Sequence, residues 1–570
     1  MAWAGNHLLV VNPDSNSVTI LDAVNHEVRA EIMVGVDPRT IAVDGHSTYA
    51  YVANRGSDDI SIVDLAALTE IGRVSVGDRP YGILVGLGGD RLYVAEQGED
   101  SLRILDAMTH ETLAQLEMDD RPSGLALSTD GRVLYVTHLL QPTLTVLENV
   151  DGPADAILMR HIALWPDSNL VQSIVLSSAG QTAYVPHTRS NAANRALTFD
   201  TTVFPIVSEI DIESETQVGG AQLDLGTLDP PGVGLPFDAA LSPDGRKLWI
   251  VNAASNDISV IDLTNRDLTA HIEVADNPRA IVFSADGETA YVNNTLAGTV
   301  SAIDTASYEV ADSIHVTTVP LPPVLLTGKR LFHSSDDPRL AKAQWISCNT
   351  CHFEGEHDGQ TWTFGFAGPR NTTSLLGMIE TYPLRWSGEW DESADSEFAI
   401  RRENFGAGLI EGEMGCAIFP PDCVDQAPNQ GRDYELDALA AFIDSLRAPF
   451  SPDHQNGEPL TEAALRGREI FHRDDVGCAE CHPAPLYTDL KRHDVGTATA
   501  DERIGPAFDT PTLRGLYDSA PYFHDGRATS LRQTLTFPSA NSEHDMRGIL
   551  SESEIDDLLA FLLALPYEEP

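Results

Sequence analysis

The chain has 570 residues, of which 36 are basic and 86 acidic, giving a formal net charge of −50. One hydrophobic core does not grow to that length, so two to four domains are expected. Such acidity repels phosphate backbones and excludes nucleic acid as a partner, and no run of about 18 apolar residues exists to form a membrane-spanning helix.

The first half of the chain repeats itself. Leu9-Val-Val-Asn12, Tyr51-Val-Ala-Asn54, Tyr93-Val-Ala-Glu96, Tyr135-Val-Thr-His138, Tyr184-Val-Pro-His187, Trp249-Ile-Val-Asn252 and Tyr291-Val-Asn-Asn294 recur at intervals of 42 residues, with two longer intervals of 49 and 65. A second β run follows each motif, such as Ile60-Ser-Ile-Val-Asp64, and turns such as Ser242-Pro-Asp-Gly245 precede many of them. Several short strands per period of about 40 to 45 residues is the pattern of propeller blades, and the seven copies predict seven blades. The repeats resemble the YVTN family of β-propellers over residues 1–318. No strand precedes Leu8, so the stretch after His315 is expected to complete the first blade and close an open edge.

Three consecutive motif strands end in Glu96, His138 and His187 where the other four end in Asn. They are either turn residues meeting a local hydrogen bond or a polar sector that faces the second half of the chain and forms an entrance there. The longest repeat interval, with Asp229-Pro-Pro-Gly, falls after His187.

The second half carries Cys348-Asn-Thr-Cys351-His352 and Cys478-Ala-Glu-Cys481-His482. Cys-x-x-Cys-His is the attachment signal of c-type haem: two thioethers to one porphyrin, and a histidine imidazole for the iron. Two covalent haems are expected. Thr327-Gly-Lys-Arg-Leu-Phe-His333 precedes the first motif and Arg466-Gly-Arg-Glu-Ile-Phe-His472 the second, an internal duplication. The predicted architecture is a β-propeller at 1–318, a mainly α-helical cytochrome c-like domain with the first haem at 319–455, and another with the second haem at 456–570. Helical patterns include 434–447 and 553–565. The remaining cysteines, Cys416 and Cys423, are expected to pair as a disulfide. Attached haem and a disulfide both imply a periplasmic or extracellular location. No export signal is visible at Met1, so the chain is expected to begin at a methionine added after removal of the leader.

Pro369-Arg-Asn-Thr-Thr-Ser-Leu-Leu376, Asp509-Thr-Pro-Thr-Leu-Arg-Gly515 and Ala520-Pro-Tyr-Phe-His-Asp-Gly526, ordered around the two haem motifs, resemble the di-haem cytochrome c peroxidases and MauG-type enzymes over about 325–567. The resemblance implies that Trp386 is an electron bridge between the haems. It implies a calcium ion held by the side chain of Asn371 and the carbonyls of Ser519 and Pro521. Peroxide is implied to react at the first haem, with Glu397 as the distal acid and Glu411 and Glu413 as alternatives. Trp362-Thr-Phe-Gly-Phe-Ala-Gly stands where the peroxidases carry a blocking histidine, leaving His357 as the nearby candidate and an open first haem as the expectation. At the second haem the family's methionine position is Pro538. Met546 is then the first choice for sixth ligand and His544 the second, with His524 beside a propionate.

The expected function is that of an exported di-haem c-type oxidoreductase using hydrogen peroxide. Its reductant is a cytochrome c, a cupredoxin, or an organic or protein substrate docked near the propeller. The alternative is a non-catalytic electron-transfer protein with the propeller as its docking module.

Overall fold

The computed structural model describes all residues except 196–197, 199–200, 219–222, 229–231, 366, 413–427, 449–450, 453–458, 538–542 and 566–570. Glu413, Cys416, Cys423, Pro538 and the 229–231 turn therefore lie outside the described residues.

Residues 2–315 form seven antiparallel sheets in chain order. Six have four strands each, laid side by side as they occur in the sequence. In the second sheet these are Pro38–Val43, Tyr49–Asn54, Asp59–Asp64 and Thr69–Ser75. The motif strand is second in each and is buried over its last five residues, because neighbouring sheets cover both of its faces. The fourth strand alternates exposed and half-buried positions, as an outer edge facing water must. The fifth sheet absorbs the long intervals by extending Thr182–Ser190 and Val203–Asp211 to nine residues each and adding short flanking strands.

One expectation is corrected. The first blade contains its own inner strand: Ala2–Ala4 pairs with the motif strand, Ala2 opposite Leu9 and Ala4 opposite His7. Three residues are too few to display a β period, which hides this strand from sequence reading. The stretch after His315 crosses the base of the first blade without joining its ladder. Thr19 Oγ1 donates to the Val316 carbonyl at 2.8 Å, and the Thr317 hydroxyl donates to Glu31 at 2.6 Å. The ring closes through apolar contact of Leu8, Val10 and Leu21 with Tyr291, Val300 and Ile314.

The residue ending each motif strand has one job. Asn54, Asn252 and Asn294 each donate to a serine hydroxyl seven positions on, at 2.9 Å, and Asn12 to Thr19 at 3.0 Å. His138 Nε2 meets Thr145 Oγ1 at 2.8 Å in the same geometry. Glu96 finds Arg103 at that position, and His187 Nε2 meets Ser208 Oγ at 2.8 Å across the lengthened hairpin. All three side chains are fully buried within their sheets, so they are local fasteners and the polar-entrance reading is withdrawn. Burial lowers both imidazoles to about 4. They stay neutral in the fold but bind protons when unfolded below about 6.5. Each therefore costs stability as pH falls from about 6.5 to 4, by about 3 kcal/mol at full effect. Thermal unfolding of His138→Gln and His187→Gln should show a weaker loss over that window than the parent chain, with no difference above pH 7.

The last propeller strand ends at His315, and two helical halves follow. Helix Pro323–His333 packs on Tyr434–Ser445, and Glu462–Phe471 packs on Glu552–Leu563. The duplication reaches the atomic level. A Cβ on Gly328 would stand 1.9 Å from the Ala438 carbonyl oxygen, and one on Gly467 would stand 1.9 Å from that of Asp557. Only glycine lets these helix pairs approach so closely. Phe332 meets Phe442 edge-on at 5.3 Å, and Phe471 meets Phe561 at 5.4 Å. Among the described residues no helix is long and apolar enough to cross a membrane.

Candidate functional site

Each haem motif is a single helical turn, Cys348–Cys351 and Cys478–Cys481, which puts its two sulfurs on one face. Ser347 caps the first turn reciprocally with Thr350. All four thiols are free. His352 Nδ1 lies 2.9 Å from the Thr373 carbonyl, and His482 Nδ1 lies 2.9 Å from that of Tyr487. A carbonyl accepts only, so Nδ1 carries the proton and Nε2 keeps its lone pair. Burial favours this neutral form by lowering both imidazoles, His352 to about 4. Free thiol pairs beside a neutral imidazole of fixed tautomer are what covalent haem with a histidine ligand requires.

The two halves meet along a seam built around Trp386. Its Nε1 donates to the Asn371 carbonyl at 2.8 Å, and its own carbonyl accepts from Asp509 N at 2.9 Å. Its ring stands edge-on to His524, with centroids 6.3 Å apart. Asn371 N donates to the His524 carbonyl at 2.6 Å, and Asn371 Nδ2 to the Pro521 carbonyl. His524 stacks on Phe508 at 3.9 Å and lies 2.9 Å from Glu502, which also pairs with Arg370 at 2.9 Å. Asn371 Oδ1 is buried with no hydrogen-bond partner, a spare oxygen beside the Pro521 carbonyl. The Ser519 hydroxyl donates to Gly515 O at 2.7 Å. Among the described residues no group of three or more His, Cys, Asp or Glu could hold a metal ion. A cation here would depend on amide and carbonyl oxygens, the donors a hard ion takes.

Glu397 is fully buried, but both its oxygens are committed. Oε1 accepts from Arg401 Nε at 2.6 Å and from Ile410 N at 3.2 Å, and Oε2 from Leu409 N at 2.9 Å. This arrangement anchors the 408–410 loop and does not suit a free acid. Glu411 is exposed. The polar groups beside the first motif are others. Arg385 contributes to lowering His352 and pairs with Glu403 at 2.5 Å. Glu389 Oε1 lies 3.7 Å from Arg385 Nε, while Glu389 Oε2 is buried without a partner. His357 is fixed, accepting from Gly359 N at Nδ1 (3.1 Å) and donating from Nε2 to the Asp518 carbonyl (2.7 Å).

In the second half, Met546 is packed in the apolar core with Leu535, Leu550 and Leu558. His544 is half-buried, with its ring 5.8 Å from that of Phe523, and desolvation lowers it to about 4, with His482 adding to the shift.

No family model matches the chain. Among curated proteins, MauG of Methylorubrum extorquens is 31% identical over 291 residues, 45% of this chain and 81% of MauG. The chain belongs to the MauG and di-haem cytochrome c peroxidase superfamily. Hydrazine synthase subunit gamma of Kuenenia stuttgartiensis is 29% identical over 38% of this chain and 72% of its own length. Cytochrome c551 peroxidase of Nitrosomonas europaea is 27% identical over 43% and 80%.

The propeller holds the helical halves through a group of arginines. Arg39 Nη2 reaches Glu354 at 3.1 Å and Arg279 reaches it at 2.6 Å. Arg55, Arg79 and Arg121 converge on Glu356, and Arg79 and Arg121 also bind Asp518. Burial opposes charge at Glu356, but these arginines outweigh it and hold the carboxyl at about 2. The lengthened fifth blade adds contacts: Ala192 O accepts from Thr363 N at 3.0 Å, and Arg195 pairs with Asp501 at 2.9 Å. Sequence reading missed this group, although a signal existed. Arg39, Arg79, Arg121 and Arg279 each adjoin the proline that opens an inner strand, so the repeat register puts them on one propeller face.

Proposed function

We propose that the chain is an exported di-haem c-type oxidoreductase that uses hydrogen peroxide and passes electrons between its two centres through Trp386. Its reductant would be a cytochrome c, a cupredoxin, or an organic or protein substrate. The seam carries this reading: one indole is hydrogen-bonded to the first half, its carbonyl to the second, and its ring lies against His524. Haem c held by Cys348, Cys351 and His352, and by Cys478, Cys481 and His482, would supply one-electron chemistry and an open iron position.

The chain's own residues orient and bind. The Trp386–Asn371 hydrogen bond sets the plane of the indole. Glu389 Oε2, buried without a hydrogen-bond partner beside Arg385, is an oxygen placed to accept a hydrogen bond from a bound substrate. Glu397 holds the 408–410 loop. Calcium would sit at Asn371 Oδ1 with the carbonyls of Ser519 and Pro521. Met546, buried in the core against which Cys478 packs, is the first candidate for second-haem ligand and His544 the second. Met546→Leu should abolish the low-spin signal of that haem while His544→Ala leaves it; the reverse pattern transfers the role to His544.

The ferric EPR spectrum tests the function as a whole. One high-spin centre that converts on cyanide addition is expected. Two low-spin centres indifferent to cyanide would overturn catalysis and leave an electron-transfer protein.

A further inference from the structure

We propose that the propeller is a positioning clamp for the two haem halves, acting through Arg79 and Arg121, and that these two side chains set how fast electrons cross the seam. The inference rests on the reading above only in taking exchange between the halves as the event that is positioned. Glu356 lies four residues after His352 in the first half, and Asp518 lies three before Pro521 in the second. Arg121 donates from Nη1 to Glu356 at 2.8 Å and from Nη2 to Asp518 at 2.6 Å. Arg79 Nη1 reaches Asp518 at 2.7 Å and Glu356 at 3.5 Å. Arg121 thus bridges two loops from different halves with the two arms of its planar fork, which a point charge does not allow, and Arg79 shares Nη1 between the same two carboxylates.

The chemistry makes this bridge necessary. Glu356 and Asp518 are like charges brought together in a chain of net charge −50. Without the arginines these loops would repel. Arg121 is only 2% exposed, so solvent does little to screen the interaction. The Asp518 loop continues directly into the seam, where the Pro521 and His524 carbonyls accept from Asn371. A shift at Asp518 therefore moves the groups that hold Asn371 and Trp386. Arg39 and Arg279 on Glu354, and Arg55 on Glu356, lie outside this bridge. They keep the propeller attached when Arg79 and Arg121 are removed.

The test uses the full-length haem-loaded protein with Arg79→Ala and Arg121→Ala combined. Haem count by pyridine haemochrome should remain two. The haem–haem distance distribution from pulsed EPR should broaden, and hydrogen exchange should rise in 353–359 and 515–521. Inter-haem exchange should slow by about ten- to a hundredfold, the scale set by misplacements of about 1 Å. Adding Glu356→Gln removes the repulsion and should recover part of the rate, which a generally weakened fold would not do. If the double variant does not fold, Arg121→Gln alone carries the same measurements. An unchanged distance distribution and exchange rate would overturn the proposal. If Trp386→Phe leaves exchange intact while the arginine variant slows it, the relay fails and the clamp stands.

Discussion

Replacing Cys348 and Cys351 by serine should reduce the chain from two covalent haems to one and abolish peroxide-dependent turnover. The two thiols are free and share one helical turn, and the first half has no other pair among the described residues. The second motif should be untouched, because it packs on a separate core of Phe471, Leu558 and Phe561. The first half should also lose stability. Cys351 packs against the buried Trp345, Ile346 and Trp362, and a hydroxyl left unpaired there costs about 1–3 kcal/mol. Pyridine haemochrome and haem staining on a denaturing gel read the count directly. Two haems retained in this variant would remove the assignment.

Trp386→Phe should leave both haems bound and slow exchange between them by about tenfold or more, equivalent to about 1.4 kcal/mol or more on the barrier. The substitution keeps an aromatic ring but deletes the indole nitrogen that donates to the Asn371 carbonyl at 2.8 Å. That carbonyl then lacks its partner, at a cost of about 1–3 kcal/mol, so a modest fall in melting temperature should accompany the kinetic effect. Stopped-flow or flash reduction of one centre, followed at the other, measures the rate. Unchanged kinetics would assign Trp386 to packing alone.

Much of the molecule was legible before any coordinates, because its chemistry is local. A period of 42 residues announces blades. The Asn and hydroxyl partners at i and i+7 lie on paired strands of one hairpin, as do Glu96 and Arg103. Gly328 and Gly467 occupy equivalent places in two similar helices, and each haem motif is one turn long. The resemblance marked Glu397 as a candidate acid, but its part as a loop anchor was not legible, since its partners at Leu409 and Ile410 are backbone amides that carry no sequence signature.

The seven blades, the two Cys-x-x-Cys-His turns and the duplicated helix pairs could be read from residue order alone, because each is specified by residues within one repeat or one turn. Only the tertiary structure decided how the parts are held. Arg121 meets Glu356 across 235 positions of chain, and Arg79 meets Asp518 across 439. Ala2–Ala4 becomes a strand only because a motif strand lies beside it. Trp386 comes to lie in the seam only because the folding of two separate cores brings Asn371 and His524 into contact with it. Contacts of such separation depend on where whole domains pack, and no local pattern of residue types records that.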